Sequence, residues 1–386
     1  MRIAYISPTF LSDVDISYLH EAQKINDIDY YICVNKGIKQ AAAININSLK
    51  VSPTVHRIEE YEECLILGNF IDLSKTFVVN DTGNRAFSIN TFRAYFSLYK
   101  RIKKGNYDCI HITWHPYLAY FWIYLFRKRT VMIVHDPLPH SSNKSKAAKI
   151  YRRFAFSLFQ KFVILNQAQK NEFIKVYHID KSKIYDSSLS TYSYRHIYDN
   201  KNISNIPHGE YVLYFGQITS HKGLEYLLRA FTNIHEKYPY LSLVIAGKGN
   251  FHFDISEYKR KKWLDLRNKF IPDDELAALI KNSKYVIAPY LDATQSGVVM
   301  SAFAYNKLCI VTNVGGLPSM VGDGKYGEVI TPANSEVIED VIAKLESDES
   351  LIKEIEQSIQ NDFGTGLLSW KKIAEDMNTI YNTVLR

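Results

Sequence analysis

At 386 residues the chain is too long for one ordinary core and fits about two domains. Its composition, 46% apolar and 23% charged, is that of a soluble globular protein. The net charge of +7 admits nucleic acid, an anionic membrane surface or a phosphorylated ligand as partner. The four cysteines, Cys33, Cys64, Cys109 and Cys309, lack the short paired spacings of a zinc site. Three of them, Cys33, Cys109 and Cys309, lie in apolar strand-like runs, which reads as buried free thiols in a reducing, cytoplasmic setting. The N-terminal apolar run is too short for a signal peptide. The longest apolar stretch, "YLAYFWIYLF" at 117–126, is too short to cross a bilayer as a helix.

In chain order, "RIAYIS" (2–7) predicts a strand, "DISYLHEAQKI" (15–25) a helix and "YYICVN" (30–35) a strand. Residues 36–88 are ambiguous. A helix is expected over 91–104, a strand over 108–113, a buried helix over 116–126, a strand over 130–134, a helix over most of 144–162 and a strand over 162–166. This alternation predicts a parallel sheet covered by helices on both faces. Residues 188–208 are rich in Ser, Asn and Tyr without an apolar period and read as a linker. The alternation then restarts. Strands are expected at 211–216, 241–247, 266–271, 285–290 and 308–312, with an amphipathic helix through Leu224, Leu227, Leu228, Phe231 and Ile234. A helix over 273–282 has acidic residues in its first turn, and helices at 335–346, 349–361 and 369–384 close the chain. The prediction is α/β, with two doubly wound domains in tandem: 1–187, the linker 188–208, 209–366, and a final helix in 367–386.

Ligands of open α/β sheets bind past the carboxyl ends of the strands. In "FGQITSHKGLEYLLRAF" (215–231), Gly216 ends a strand and Lys222–Gly223 precedes a helix. A positive helix end beside a lysine suits a phosphate or pyrophosphate, and an ordinary βα turn with a solvated lysine gives the same pattern. The G-x-x-x-x-G-K-[ST] loop and the strand-linked G-x-G-x-x-G are both missing, and "GKG" at 247–249 reads as a turn signal only. In "ATQSGVVMSAFAYNKLCIVTNVGGLPSMV" (293–321), Ser296–Gly297 opens a short helix. The amides of Ser296, Gly297 and Val298 offer a second anion site, or Ser296 is a plain N-cap.

Here the chain resembles the retaining, nucleotide-sugar-dependent glycosyltransferases of family 4, with the GT-B fold. The matching pieces are "YVLYFGQITSHKGLEYLLRAF", "LVIAGKGN", "FIPDDELAALIKNSKYVIAPY", "SGVVMSAFAYNKLCIVTNVGGLPSMVGDGKYGEVITP" and "LSWKKIAEDMNTIYNTVL". The resemblance is strongest over 205–386, while "DCIHITWHP" and "TVMIVHDPLPH" look like the family's acceptor-side strand ends. It implies two Rossmann-like domains facing across a cleft, with the N-terminal one on the acceptor side and the final helix packed back on it. Lys222 would hold the donor diphosphate, with the amides of Ser296, Gly297 and Val298 on the distal phosphate. Phe270 and Ile271 would hold the base through main-chain groups, and His135 would face the donor sugar. The chain departs from the pattern at Gln217, where many relatives have Arg. Ala293 and Ser301 stand where relatives tend to have two glutamates, the second of which usually binds ribose. "SPTFLSDVD" replaces the glycine-rich loop usual after the first strand. Thr294 and Gln295 are candidates for replacement contacts to the sugar, and Ser301 for the ribose.

His115 and His140 are further candidates on the N-terminal side. Asp13–Val14–Asp15 imitates a metal-binding Asp-x-Asp but sits at a helix start, where aspartates cap, so no metal is assigned. The stretch 144–161 carries Lys144, Lys146, Lys149, Arg152, Arg153 and Lys161 among apolar residues, which suits an anionic membrane, a lipid-linked acceptor or a solvated helix face. The sequence thus points to a metal-independent hexosyltransferase of surface polysaccharide or glycan assembly. It would act in the cytoplasm or at the inner membrane face, without cofactor, on a nucleotide sugar (UDP-sugar as the first choice) and a glycan or lipid-linked acceptor. The alternative is a non-catalytic partner subunit of the same fold. Nucleic acid is disfavoured as a partner, because the basic residues lack stacking motifs.

Overall fold

The computed structural model describes residues 1–35, 43, 44, 46, 50–83, 88–113, 124–135, 137 and 146–384, with the side chains of 146–149, 151 and 168 left aside. The chain divides into two units, Met1–Leu189 with Trp370–Arg386, and Ser190–Ser369.

The first unit runs β1 (Arg2–Pro8), α1 (Ser12–Ile25), β2 (Asp27–Asn35), β3 (Val55–Arg57), β4 (Thr76–Asp81), α2 (Ile89–Lys104) and β5 (Cys109–Thr113). A 3-10 turn (Tyr124–Arg129), β6 (Thr130–Val134), α3 (Lys146–Ser157), β7 (Phe162–Ile164), α4 (Lys170–Tyr177) and β8 (Ile184–Asp186) follow. The strands form one sheet in the order β3-β4-β2-β1-β5-β6-β7-β8, parallel except for the antiparallel edge strand β3. Alternation along the strands separates its two faces. Ile6, Cys33, Val79, Ile112 and Met132 pack with Tyr95 and Leu98 of α2 and with Phe156 of α3 on one face. Tyr5, Tyr30 and His111 point to the other, beneath α1.

The second unit runs β9 (Tyr211–Phe215), α5 (Leu224–Lys237), β10 (Ser242–Ala246), β11 (Leu264–Arg267), α6 (Asp273–Asn282), β12 (Tyr285–Ala288) and α7 (Gly297–Phe303). It continues with β13 (Cys309–Thr312), α8 (Leu317–Met320), β14 (Gly327–Ile330), α9 (Ser335–Ser347) and α10 (Glu349–Ile359). Its sheet has the order β11-β10-β9-β12-β13-β14, all parallel. That order reverses direction between β9 and β12, the switch point where such sheets take their ligands. The closing helix, α11 (Trp370–Asn382), packs on α1 of the first unit. Tyr18 and Tyr381 share a hydroxyl–hydroxyl bond of 2.9 Å, and Lys161 donates to the Thr383 carbonyl at 2.6 Å.

Several expectations change. Residues 190–208 are not a free linker: they belong to the second unit, and Tyr194 and Arg195 are buried there. The strand expected over 266–271 is Leu264–Arg267, and 268–271 is loop. Asp13 and Asp15 do not cap α1, which starts at Ser12; Asp15 is fully buried and accepts from the hydroxyls of Tyr5 (2.6 Å) and Tyr30 (3.0 Å). β3, β8 and β14 had no clear signature, since three or four residues are too few to show a period, and the eight-residue α4 was not expected either. The helix expected at 116–126 falls largely outside the described residues, as do His115, Asp136, His140 and Lys144. All four cysteines are buried and free. No helix among the described residues is long and apolar enough to cross a membrane.

Candidate functional site

The carboxyl edge of the second sheet is assembled by close backbone approach. Gly216 leaves β9 at φ +122°. A Cβ on Gly247 would fall 1.8 Å from the Gly216 carbonyl oxygen, and one on Gly249 would fall 2.0 Å from that of Ile218. The two glycines of "GKG" therefore zip the loop after β10 onto the loop after β9, a role beyond a turn signal. The chain then makes a 3-10 turn over Ser220–Lys222, and α5 begins only after Gly223. Gly223 is left-handed at φ +66°, and a Cβ there would stand 1.9 Å from the Pro289 carbonyl oxygen. The Lys–Gly pair is thus explained in part by packing: glycine is required where the loop meets the end of β12.

That contact delivers Lys222 to the switch point. Its Nζ lies 3.5 Å from the centroid of the Tyr290 ring. Loss of water pulls the ammonium down to about pKa 8. Tyr290 is 2% exposed, and burial raises its hydroxyl to about 12. The hydroxyl of Ser296 donates to the Tyr290 hydroxyl at 3.3 Å, and Ser296 Oγ accepts from the amide of Val298 at 3.3 Å. Lys222, Tyr290, Ser296 and Val298 are therefore one connected group, and Val298 Cγ2 lies 3.8 Å from where a Gly216 Cβ would be. Tyr290 was missed in the sequence. Its only signal was its place at the end of the apolar run "YVIAPY".

The Ser296 amide points at the Met320 sulfur, 3.3 Å away, a weak acceptor that an anion readily displaces. Gly297 has a neighbour the sequence did not suggest. A Cβ there would meet the Tyr192 ring at 3.0 Å, so this glycine makes room for a tyrosine of the segment read as linker. The Tyr192 amide also donates to the Met300 carbonyl at 3.0 Å. Thr294 and Gln295 are half-buried in a loop pinned by the Gly316 amide on the Thr294 carbonyl at 2.9 Å. Gln217 is exposed. Phe270 is 50% exposed and Ile271 is 9% exposed, side by side in the loop before α6.

Ser301 lies deeper, 2% exposed on α7. Its hydroxyl accepts from Arg195 Nε at 3.2 Å, and Arg195 Nη1 pairs with Asp273 at 3.2 Å. Burial raises the Asp273 carboxyl in spite of that arginine. The expected ribose position is thus engaged by a half-buried ion pair that had no signature in the sequence.

In the first unit, His135 follows β6 and lines an apolar pocket with Tyr5, Tyr18, His111, Trp370 and Met377. Burial lowers His135 to about 4, so it is neutral at physiological pH. His111 is held well below its usual value by burial, its Nδ1 2.6 Å from the Tyr381 hydroxyl and its ring stacked on Tyr5 at 3.8 Å. Among the described residues no group of three His, Cys, Asp or Glu is placed to hold a metal.

Residues 198–362 match the family "Glycosyl transferases group 1", and residues 56–185 match "Glycosyltransferase Family 4". An uncharacterized glycosyltransferase of Methanocaldococcus jannaschii is 27% identical over 179 residues, 45% of each chain. The chain therefore aligns with just under half the length of that relative. A glycosyltransferase structure from Rickettsia africae superposes with a TM-score of 0.69 at 16% identity, over 100% of this chain and 98% of its own. Anabaena HepE in complex with UDP superposes at 0.67 and 13% identity, over 99% of this chain and 100% of its own. These likenesses show the fold: two Rossmann-like domains of the GT-B glycosyltransferase type.

Proposed function

We propose that this chain, whose residues 198–362 match the group 1 glycosyltransferases, moves a sugar from a nucleoside diphosphate to an acceptor hydroxyl with retention, in surface polysaccharide or glycan assembly. The observation that carries the reading is Lys222, seated on Tyr290 at the switch point and tied through it to Ser296. A lysine short of water gains more from a diphosphate than a solvated one. On donor binding it exchanges a ring face for phosphate oxygens, and the Ser296 amide exchanges sulfur for oxygen. The Gly297 amide adds to the distal-phosphate contact, and the Val298 amide joins it by exchanging the Ser296 hydroxyl, which caps α7, for a phosphate oxygen. Phe270 and Ile271 are assigned to the base, Thr294 and Gln295 to the sugar, and Gly216, Gln217 and Gly223 to the surrounding loop. His135 is assigned to a donor-sugar hydroxyl, where a neutral imidazole can donate or accept.

Departure of the nucleoside diphosphate leaves charge on its distal oxygen, and Lys222 with these amides stabilises that charge without a metal. The leaving phosphate takes the acceptor proton as the new glycosidic bond forms on the same face. UDP is proposed as the nucleotide, because a neighbour of the same fold was crystallised with it. The test is calorimetry with UDP, GDP and ADP, followed by nucleotide release from their sugars. Saturable nucleotide binding with sugar-dependent release supports transfer. Binding without release would leave the non-catalytic subunit, and no binding to any of the three would remove the reading.

A further inference from the structure

The net positive charge of the chain arises in one stretch. Residues 88–161 carry fourteen Lys and Arg against two acids, Asp108 and Asp136, while the rest of the chain carries thirty-three against thirty-eight. The stretch supplies α2, the 124–129 turn and α3, and none of the three contains an Asp or Glu. All three lie on one face of the first sheet: Leu98 of α2, Phe156 of α3 and Phe126 of the turn pack on a single apolar cluster with Ile112 and Met132. Their outward sides carry large apolar groups. Ile89 is 64% exposed and Phe92 42% on α2, Leu125 56% on the turn, and Ile150 71% and Phe154 61% on α3. Exposed bases lie close to them in sequence: Arg93 next to Phe92, Lys128 and Arg129 shortly after Leu125, and Arg153 next to Phe154.

We propose that this face docks the protein on an anionic lipid bilayer. Bases alone would suit any polyanion. Aliphatic side chains such as Ile150 and Leu125 have no base to stack on in a nucleic acid, but they gain by entering the boundary between lipid headgroups and acyl chains. The bases around them meet lipid phosphate, each contributing about fivefold in partitioning close to the surface. The attraction is screened over roughly 8–10 Å at ordinary salt. Docking here would bring a lipid-linked acceptor to the unit that carries His135.

The test is sedimentation of the full chain with vesicles of phosphatidylcholine, alone or with one-third phosphatidylglycerol, at low and raised salt. The expected result is co-sedimentation with the anionic vesicles only, weakened by salt. Replacing Arg93, Lys128, Arg129 and Arg153 together with Gln should lower binding by nearly three orders of magnitude, about fivefold for each base removed. Replacing Leu125, Ile150 and Phe154 with Ser should lower it about tenfold or more while the salt dependence persists. The far-UV circular dichroism and cooperative urea transition of each variant report that it is folded. Because no sugar transfer enters the measurement, the docking inference stands or falls apart from the catalytic one. It is overturned if the parent fails to sediment at low salt, if the Ser variant binds as well as the parent, or if duplex DNA binds at least as tightly as the vesicles.

Discussion

At the carboxyl edge of the second sheet, backbone presses on backbone; in the first unit, near His135, side chains press on side chains. Gly216 against Gly247, Ile218 against Gly249 and Pro289 against Gly223 leave no room for a Cβ, so the loops that carry Lys222 have one arrangement. In the first unit the corresponding groups are Tyr5, Tyr30 and Asp15 in one hydrogen-bonded cluster, and Tyr18, Tyr381 and His111 in another. A backbone-built edge has a shape that protonation does not alter. A cluster of buried titratable groups carries its stability in proton positions. The difference suits a fixed anion site on one unit and a pH-sensitive interior on the other, and it can be tested from both sides.

The largest effect is expected at Lys222. Gln217, exposed, stands in place of the arginine common in relatives, so that position supplies no cation beside Lys222. Lys222→Ala should lower transfer by about 10²-fold or more, the scale of one strong transition-state contact, roughly 2.7–4 kcal/mol. Steady-state turnover of the folded variant measures it. Near-parent turnover would show that the built edge serves packing alone.

On the other side, Asp15 is raised by burial from 3.8 to about 7. The folded protein therefore binds this proton more tightly than the unfolded chain does. The contribution is full below about pH 4 and is lost as pH rises through about 7. Stability should fall between pH 5 and 7.5 by about 1 kcal/mol per pH unit from this group, near the linkage limit. Asp15→Asn should remove that slope, read as urea midpoints across the range. An unchanged slope in the variant would place the titration elsewhere and erase the contrast between the units.

The same linkage acts with the opposite emphasis at Lys222, lowered to about 8. A diphosphate favours the ammonium, so nucleotide affinity should be full below pH 8 and fall by up to about tenfold per unit above it, until the pKa of the complex is reached. Lys222→Ala should bind weakly and without this dependence. A flat profile for the parent between pH 7 and 9.5 would mean that Lys222 does not meet the phosphates.

Much of this was legible in the sequence, for physical reasons that also mark its limits. Strands buried on both faces show as apolar runs, and α5 shows its period at Leu224, Leu227, Leu228 and Phe231, so the doubly wound fold could be read directly. Gly216, Lys222 and Ser296 were visible because strand ends and helix starts have local signatures. Tyr290 was not, since its value lies in a cation and a hydroxyl arriving from distant segments. Tyr192 and Arg195 were hidden in a stretch without a period, because their partners, Gly297, Ser301 and Asp273, lie roughly eighty to a hundred residues on. Asp15 looked like a cap because helix starts favour aspartate, and only the tertiary structure shows the tyrosines that bury it.

The smallest effect concerns Ser301, where local signature and tertiary placement disagree most. Its position in the family pattern suggests the ribose, while the residue is 2% exposed and its hydroxyl accepts from Arg195. A glutamate here would meet a guanidinium already paired with Asp273. The added bulk costs about 1–3 kcal/mol, and the new ion pair offsets part of it. Ser301→Glu should therefore lower stability by about 1 kcal/mol and leave nucleotide affinity within about threefold. The discriminating measurement is a double-mutant cycle with Arg195→Met. Without the arginine, the glutamate is a buried charge with no new partner, so the two substitutions should be worse together than apart by about 1 kcal/mol or more in urea unfolding. Additivity in stability, with a loss of nucleotide affinity from Ser301→Glu alone, would return Ser301 to the ribose and leave Arg195 a structural cation only.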